Sequence, residues 1–160
     1  MNDKVARAQS AFPPPRPAAS PPIPRAPRVG ATIAAVLFTL VALFQLAVVM
    51  GAPLGEYTQG GANKGTLPTQ SRIFAGVSTA LVLVMAAAIL ARTERGPLRL
   101  APRRLITVLA WFTTAYAGVG FILNLITPSA VERAVWAPIT AVMFAACLVT
   151  MLKTRNRAAK

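Results

Sequence analysis

Little in this chain can do acid–base, redox or metal chemistry. Histidine is absent, Cys147 is the only cysteine, and the acids are Asp3, Glu56, Glu94 and Glu132. Without histidine the usual proton shuttle near neutral pH is missing. One cysteine supports no internal disulfide, c-type haem attachment or Cys/His metal site. No glycine-rich segment follows a strand or carries the lysine–hydroxyl pair of a phosphate loop, so nucleotide binding is unsupported. The sequence therefore points to no catalytic residue, no metal ligand and no cofactor. It does hold five polar side chains in or beside long apolar runs: Gln45, Glu56, Tyr57, Asn124 and Arg133. Two amides, a carboxylate, a phenol and a guanidinium can hold and orient a ligand without transforming it. These five form the candidate site.

The elements that must position them follow from hydropathy. Of 160 residues, 55% are hydrophobic and 13% charged, and the mean hydropathy is +0.56. A helix crossing the hydrocarbon core needs about 20 mostly apolar residues, roughly 30 Å of helix. Four windows meet that length: 29–50, 73–91, 105–126 and 134–152. The first has Gln45 as its one amide, the third has Asn124, and the fourth contains Pro138; none contains a charge. Each is apolar all round, as befits a helix with lipid on one side and helices on the other. The expected fold is an all-α membrane protein, a four-transmembrane-helix bundle. The first window exceeds the about 7–15 apolar residues of a signal peptide, so it is read as an anchored helix.

A formal net charge of +13 often marks a nucleic-acid binder. Here every basic cluster abuts a membrane end and no aromatic residues interleave with the arginines, so no nucleic-acid partner is expected. Fourteen of the seventeen basic residues fall in three segments: 1–28, the second connection (Arg92, Arg95, Arg99, Arg103, Arg104) and the C-terminal end (Lys153, Arg155, Arg157, Lys160). Lys64, Arg72 and Arg133 occupy the other two connections. The positive-inside rule then places both termini and the middle connection in the cytoplasm, consistent with an even number of helices. The expected partners are the lipid bilayer and anionic lipid headgroups, at about 1 kcal/mol per basic residue near the surface. The expected location is a bacterial plasma membrane. Residues 1–28, with eight prolines between Phe12 and Arg28, read as a disordered basic cytoplasmic tether, with docking to an aromatic-lined groove as the alternative. Residues 153–160 read as a second basic tail.

The connection 51–72, GAPLGEYTQGGANKGTLPTQSR, exceeds the about 12–15 residues usual for structureless loops in compact domains. It mixes five glycines with Glu56, Tyr57, Gln59, Asn63 and Lys64. The reading is an extracytoplasmic loop forming an ordered cap, with a mobile linker as the alternative. Gln45 lies roughly 7 Å below the outer end of helix one, and Asn124 lies near the outer end of helix three. Ser129 and Glu132 match a capping box opening helix four, Arg133 is expected to snorkel or pair with Glu56, and Trp136 suits an interfacial belt. Gln45, Glu56, Tyr57, Asn124 and Arg133 are thus expected to share one outer vestibule. For the two amides, interhelical hydrogen bonding is the competing explanation.

Small residues at three- or four-residue steps (Ala137, Ala141 and Ala145; Gly76 and Ala80; Thr113, Ala117 and Gly120) are expected to let helices approach closely. They suit neighbours in the same bundle, a homo-oligomer or another membrane protein. No acid, lysine or histidine lies inside a window, where ion-driven transport usually needs one. The function expected is a non-catalytic binding, accessory or structural membrane component. A small oligomeric transporter or channel is the alternative, and an enzyme using Glu56 and Tyr57 is the least supported.

Two segments, GAPLGEYTQGG…KGTLP and NLITPSAVERAVWAP, carry a resemblance. Over about residues 29–152 the chain resembles small four-helix integral membrane proteins of high-GC Gram-positive bacteria, a family with no assigned activity. The resemblance implies the membrane class and supplies no site residues.

Overall fold

The structure, a computed structural model, describes residues 22–155. Four long helices follow in order: α1 (Arg25–Val49), α2 (Thr69–Ala91), α3 (Arg103–Ile126) and α4 (Ala130–Thr154). Short 3-10 turns occupy Gly55–Tyr57, Gln59–Gly61 and Pro97–Leu100, and there is no strand among the described residues. All four helices are long and apolar enough to cross a membrane, making this an all-α, four-helix membrane protein. Residues 1–21 and 156–160, which hold most of the proline-rich segment and of the second basic tail, lie outside the described residues.

Every helix begins before its apolar window. α1 starts at Arg25, so residues 25–28 are helix and not tail. Pro27 sits in the first turn, where no intrahelical donor is missed, and its ring is buried. Arg72 lies in the first turn of α2, and α4 opens at Ala130 on its Ser129 cap. Hydropathy measures the stretch that matches hydrocarbon, whereas backbone hydrogen bonding starts α3 two residues earlier and the other helices four residues earlier, among polar residues.

The helices pack in a ring: α1 against α2 and α4, α3 against α4, and a thinner seam between α2 and α3. The common core comprises Phe38, Met85, Ile89, Cys147 and Met151, with Ala34, Ala35, Ala110 and Ala117 between them. α1 approaches α4 closely at Gly30. A Cβ added at Gly30 would lie 2.8 Å from Thr150 Oγ1 and 2.9 Å from the Ala146 carbonyl oxygen. The small-residue seam therefore runs along Gly30, Ala34 and Ala35 of α1. The stripe expected on helix four does not face inward as a unit, because Ala145 is exposed while Ala146 and Cys147 are buried. A four-residue step drifts around a 3.6-residue helix, so the alanine pattern alone misplaced the face by one residue.

Buried threonines leave no polar seam through this core. Thr113, Thr114, Thr140, Thr150 and Thr154 each donate to the carbonyl four residues earlier, at 2.7–2.8 Å. Their hydroxyls are satisfied within their own helices.

Arginines close the helix ends. Arg72 Nη2 donates to the Val49 oxygen at the end of α1 (2.6 Å). Arg92 Nη2 donates to the Thr154 oxygen at the end of α4 (2.8 Å), and Arg133 Nη1 to the Thr127 oxygen just past α3 (2.7 Å). Each places a cation on orphan carbonyls at the negative end of a helix dipole. Arg95 ties the α2–α3 connection to α1 through the Arg28 oxygen (2.6 Å) and Thr32 Oγ1 (3.0 Å). These basic residues are thus structural ties as well as charges at a membrane surface.

Candidate functional site

The bundle has a loop end, where α1 and α3 finish, and an arginine end, where α2 and α4 finish. The α1–α2 connection is folded down onto the loop end. Gly55 N donates to the Gly65 oxygen (2.9 Å), Ser71 Oγ to Gln59 Oε1 (2.9 Å) and Thr66 Oγ1 to the Gly51 oxygen (3.1 Å). Three bonds then fix it to the start of α4. Trp136 Nε1 donates to the Tyr57 oxygen (2.7 Å), Ser129 Oγ to the Glu56 oxygen (3.3 Å), and Gly60 N to Glu132 Oε2 (2.8 Å). Glycine is required where chain segments touch: a Cβ at Gly55 would collide with the Asn63 carbonyl oxygen. The Gly55→Ala variant is expected to cost about 1–3 kcal/mol of local stability. Faster hydrogen exchange at the Gly60 amide, with the helices still protected, is the expected readout.

Beneath this cap lies a cavity of about 660 Å³, within the size range of small-molecule sites. α1 supplies Phe38, Val41, Phe44 and Gln45; α3 supplies Tyr116, Gly120, Leu123 and Asn124; α4 supplies Glu132, Trp136, Thr140 and Met143. α2 contributes only Val82, near its middle, so toward the loop end the cavity has no α2 wall. The gap follows the thin α2–α3 seam, where Phe74, Val77 and Leu123 are exposed. At its deep end Phe38, Val82 and Met143 are buried, and the packed core beyond them closes the floor.

Of the five candidate residues, the fold brings Gln45 and Asn124 together in this cavity. Asn124 Nδ2 donates to the Gly120 oxygen of its own helix at 2.7 Å, which leaves Oδ1 as an acceptor. The half-buried Gln45 amide makes no hydrogen bond with another described residue. Neither amide serves as interhelical glue. Glu56 and Tyr57 are exposed and their side chains do not line the cavity; they contribute backbone carbonyls to the cap. Arg133 is likewise outside the lining, and its guanidinium caps Thr127 and does not pair with Glu56. Two of the five expected vestibule residues thus line this cavity, while the loop side chains of Glu56 and Tyr57 are exposed where the loop backbone binds α4.

Sequence reasoning missed Glu132, Trp136, Phe44 and Tyr116. Ser129 Oγ does accept from Glu132 N (3.2 Å), the first half of a capping box. The carboxylate does not return that bond. Oε2 accepts from Gly60 N and from Thr127 Oγ1 (2.9 Å), joining loop, α3 end and α4. Trp136 stands edge-on to Phe44 at 4.8 Å and 74°, with its N–H on the loop. A usable signal existed in the periodicity: Glu132, Trp136, Thr140 and Met143 fall on one helical face, as do Tyr116, Gly120 and Asn124.

A second, smaller pocket of about 190 Å³ lies at the arginine end, between Arg92, Glu94, Arg99 and Arg103. Burial, and secondarily Arg103, pulls the Arg92 guanidinium below the usual arginine range. Among the described residues no three His, Cys, Asp or Glu side chains gather as metal ligands. Comparison with protein-family models, with curated proteins and with solved structures returns no match.

Proposed function

We propose that this chain is a non-catalytic binding protein of a bacterial plasma membrane that takes an amphiphilic small molecule from the surrounding bilayer. The observation that carries the reading is the capped cavity, apolar at depth, polar under the cap and without an α2 wall on its bilayer side. An apolar pocket with a few convergent polar groups is the usual form of a small-molecule site. A half-buried amide without a protein partner, Gln45, adds to it, since such a group is costly beside hydrocarbon unless a ligand or water serves it. The distribution of basic residues supports cytoplasmic termini, with the loop end on the extracytoplasmic side. The likeness to small four-helix membrane proteins of high-GC Gram-positive bacteria fits this location. A transporter would need the floor at Phe38, Val82 and Met143 to open, and the self-satisfied threonines beyond it supply no polar path.

The test uses Gly120, where an added Cβ meets nothing within 4 Å, so a larger side chain grows into the cavity without displacing backbone. Leucine is also a better helix former than glycine, which stands about 0.8–1 kcal/mol below alanine. Gly120→Leu is expected to leave folding intact or slightly improved and to weaken saturable binding of a terminally brominated dodecyl amphiphile at least about tenfold, about 1.4 kcal/mol. Quenching of Trp136 in phosphatidylcholine nanodiscs, in a Trp111→Phe background, reads the binding. Unchanged saturable quenching in Gly120→Leu would place the ligand elsewhere and end the proposal.

A further inference from the structure

The chemistry of the cavity's polar end selects among amphiphiles, and resting on the binding function just proposed, we infer that the occupant's headgroup is a protonated amine. Among the 18 lining residues Glu132 is the only ionisable acid, and there is no lysine or arginine. Its Oε2 is held by two neutral donors, the Gly60 amide and the Thr127 hydroxyl. Its Oε1 receives no hydrogen bond from a described residue, and no cation pairs with the carboxylate. The nearest basic group along the chain, Arg133, donates to the Thr127 carbonyl and makes no ion pair with Glu132. Arg72, also at the loop end, donates to the Val49 carbonyl. Within hydrogen-bond distance the carboxylate thus meets neutral donors and no cation.

The remaining polar groups under the cap include acceptors that a donor can use. Asn124 Nδ2 is committed to the Gly120 carbonyl, and only a nitrogen can donate there, so Oδ1 of this lining residue is left as an acceptor. Gln45, whose amide is unpartnered, adds a carbonyl oxygen beside its own N–H donors. Glu132 Oε1, Asn124 Oδ1 and the Gln45 oxygen offer three acceptors, the number of N–H donors on a primary ammonium. Phe44 and Trp136 line the same end, and aromatic faces attract cations. A fatty acid or phosphate would meet Glu132 as a like charge. The alkyl chain would run inward along Val41, Val82 and Met143.

The experiment compares brominated dodecylammonium, dodecanol and dodecanoate by Trp136 quenching in phosphatidylcholine nanodiscs, again with Trp111→Phe. The alcohol matches the chain and donates one hydrogen bond, so its difference from the amine reads the charge. The ammonium is expected to saturate at about one-tenth the concentration of the alcohol, with the carboxylate weakest. Glu132→Gln keeps an oxygen for Gly60 and Thr127 and is expected to bring the amine-to-alcohol ratio close to one. Equal saturation of amine and alcohol in the parent protein, or a ratio that survives Glu132→Gln, overturns the inference. If the two ligands bind equally and both are lost in Gly120→Leu, the cavity function stands and only the headgroup assignment fails. If neither binds saturably, both fail together.

Discussion

Replacing Gly30 with leucine is expected to lower the stability of the bundle by about 3 kcal/mol, among the largest single-residue effects in this chain. The added Cβ alone would stand 2.8 Å from Thr150 Oγ1 and 2.9 Å from the Ala146 carbonyl oxygen. Thr150 Oγ1 cannot rotate away freely, because it donates to that same carbonyl at 2.8 Å. Relief therefore requires α1 and α4 to separate, and that loosens Phe38, Cys147 and Met151 behind them. Gly76→Leu is the control, since its Cβ would meet only Val49 Cγ2, at an ordinary 3.7 Å. Thermal unfolding in detergent should separate the two variants clearly. A Gly30→Leu protein as stable as the Gly76→Leu protein would show that the α1–α4 contact is not tight.

Arg92→Met is expected to cost about 3 kcal/mol, the upper range for hydrogen bonds to a charged group. The guanidinium joins three helices at once: it extends from the end of α2 to Thr107 Oγ1 of α3 (2.9 Å) and to the oxygen and hydroxyl of Thr154 in α4 (2.8 and 3.0 Å). Methionine keeps the apolar stem and removes every one of these bonds, leaving the end of α4 without its cation. Arg92→Lys should restore only a minor part, because an ammonium cannot span two helices with a planar fork. Denaturant titration in mixed micelles measures both variants. Full rescue by lysine would reduce the role of Arg92 to a point charge.

These two effects show where sequence reading reached its limit. Arg92 belongs to the basic cluster that marks a membrane surface, and charge counting treats all members of that cluster alike. Only its position at the end of α2, within reach of Thr107 and Thr154, separates it from the exposed Arg99 and Arg104. Gly30 lies at the start of an apolar window and carries no local signal that a neighbouring backbone passes so close. Among the candidate site residues, Gln45 and Asn124 were legible because an amide inside an apolar helix near the same end is rare and positional. Glu56 and Tyr57 were misread because loop composition reveals a polar segment without its side-chain directions. Glu132 was hidden by a motif that explains it locally: an S-x-x-E start accounts for the residue, so nothing called for a longer reach to Gly60.

The four apolar windows, their length and the lack of any charge within them determined by themselves that this chain forms four membrane-length helices. That result needs only the mismatch between backbone polarity and hydrocarbon, which every residue of a window contributes to in the same direction. Which faces meet, which arginines tie helix ends, and the cavity under the loop were decided by tertiary structure alone. Those features depend on ångström-scale distances between residues far apart in the chain, 23 positions for Arg72 with Val49 and 72 for Gly60 with Glu132, and no local pattern encodes such distances. The cavity is the clearest case: α1, α3 and α4 are helices of ordinary apolar sequence, and only their packing encloses the space that becomes the site, which α2 reaches at Val82 alone.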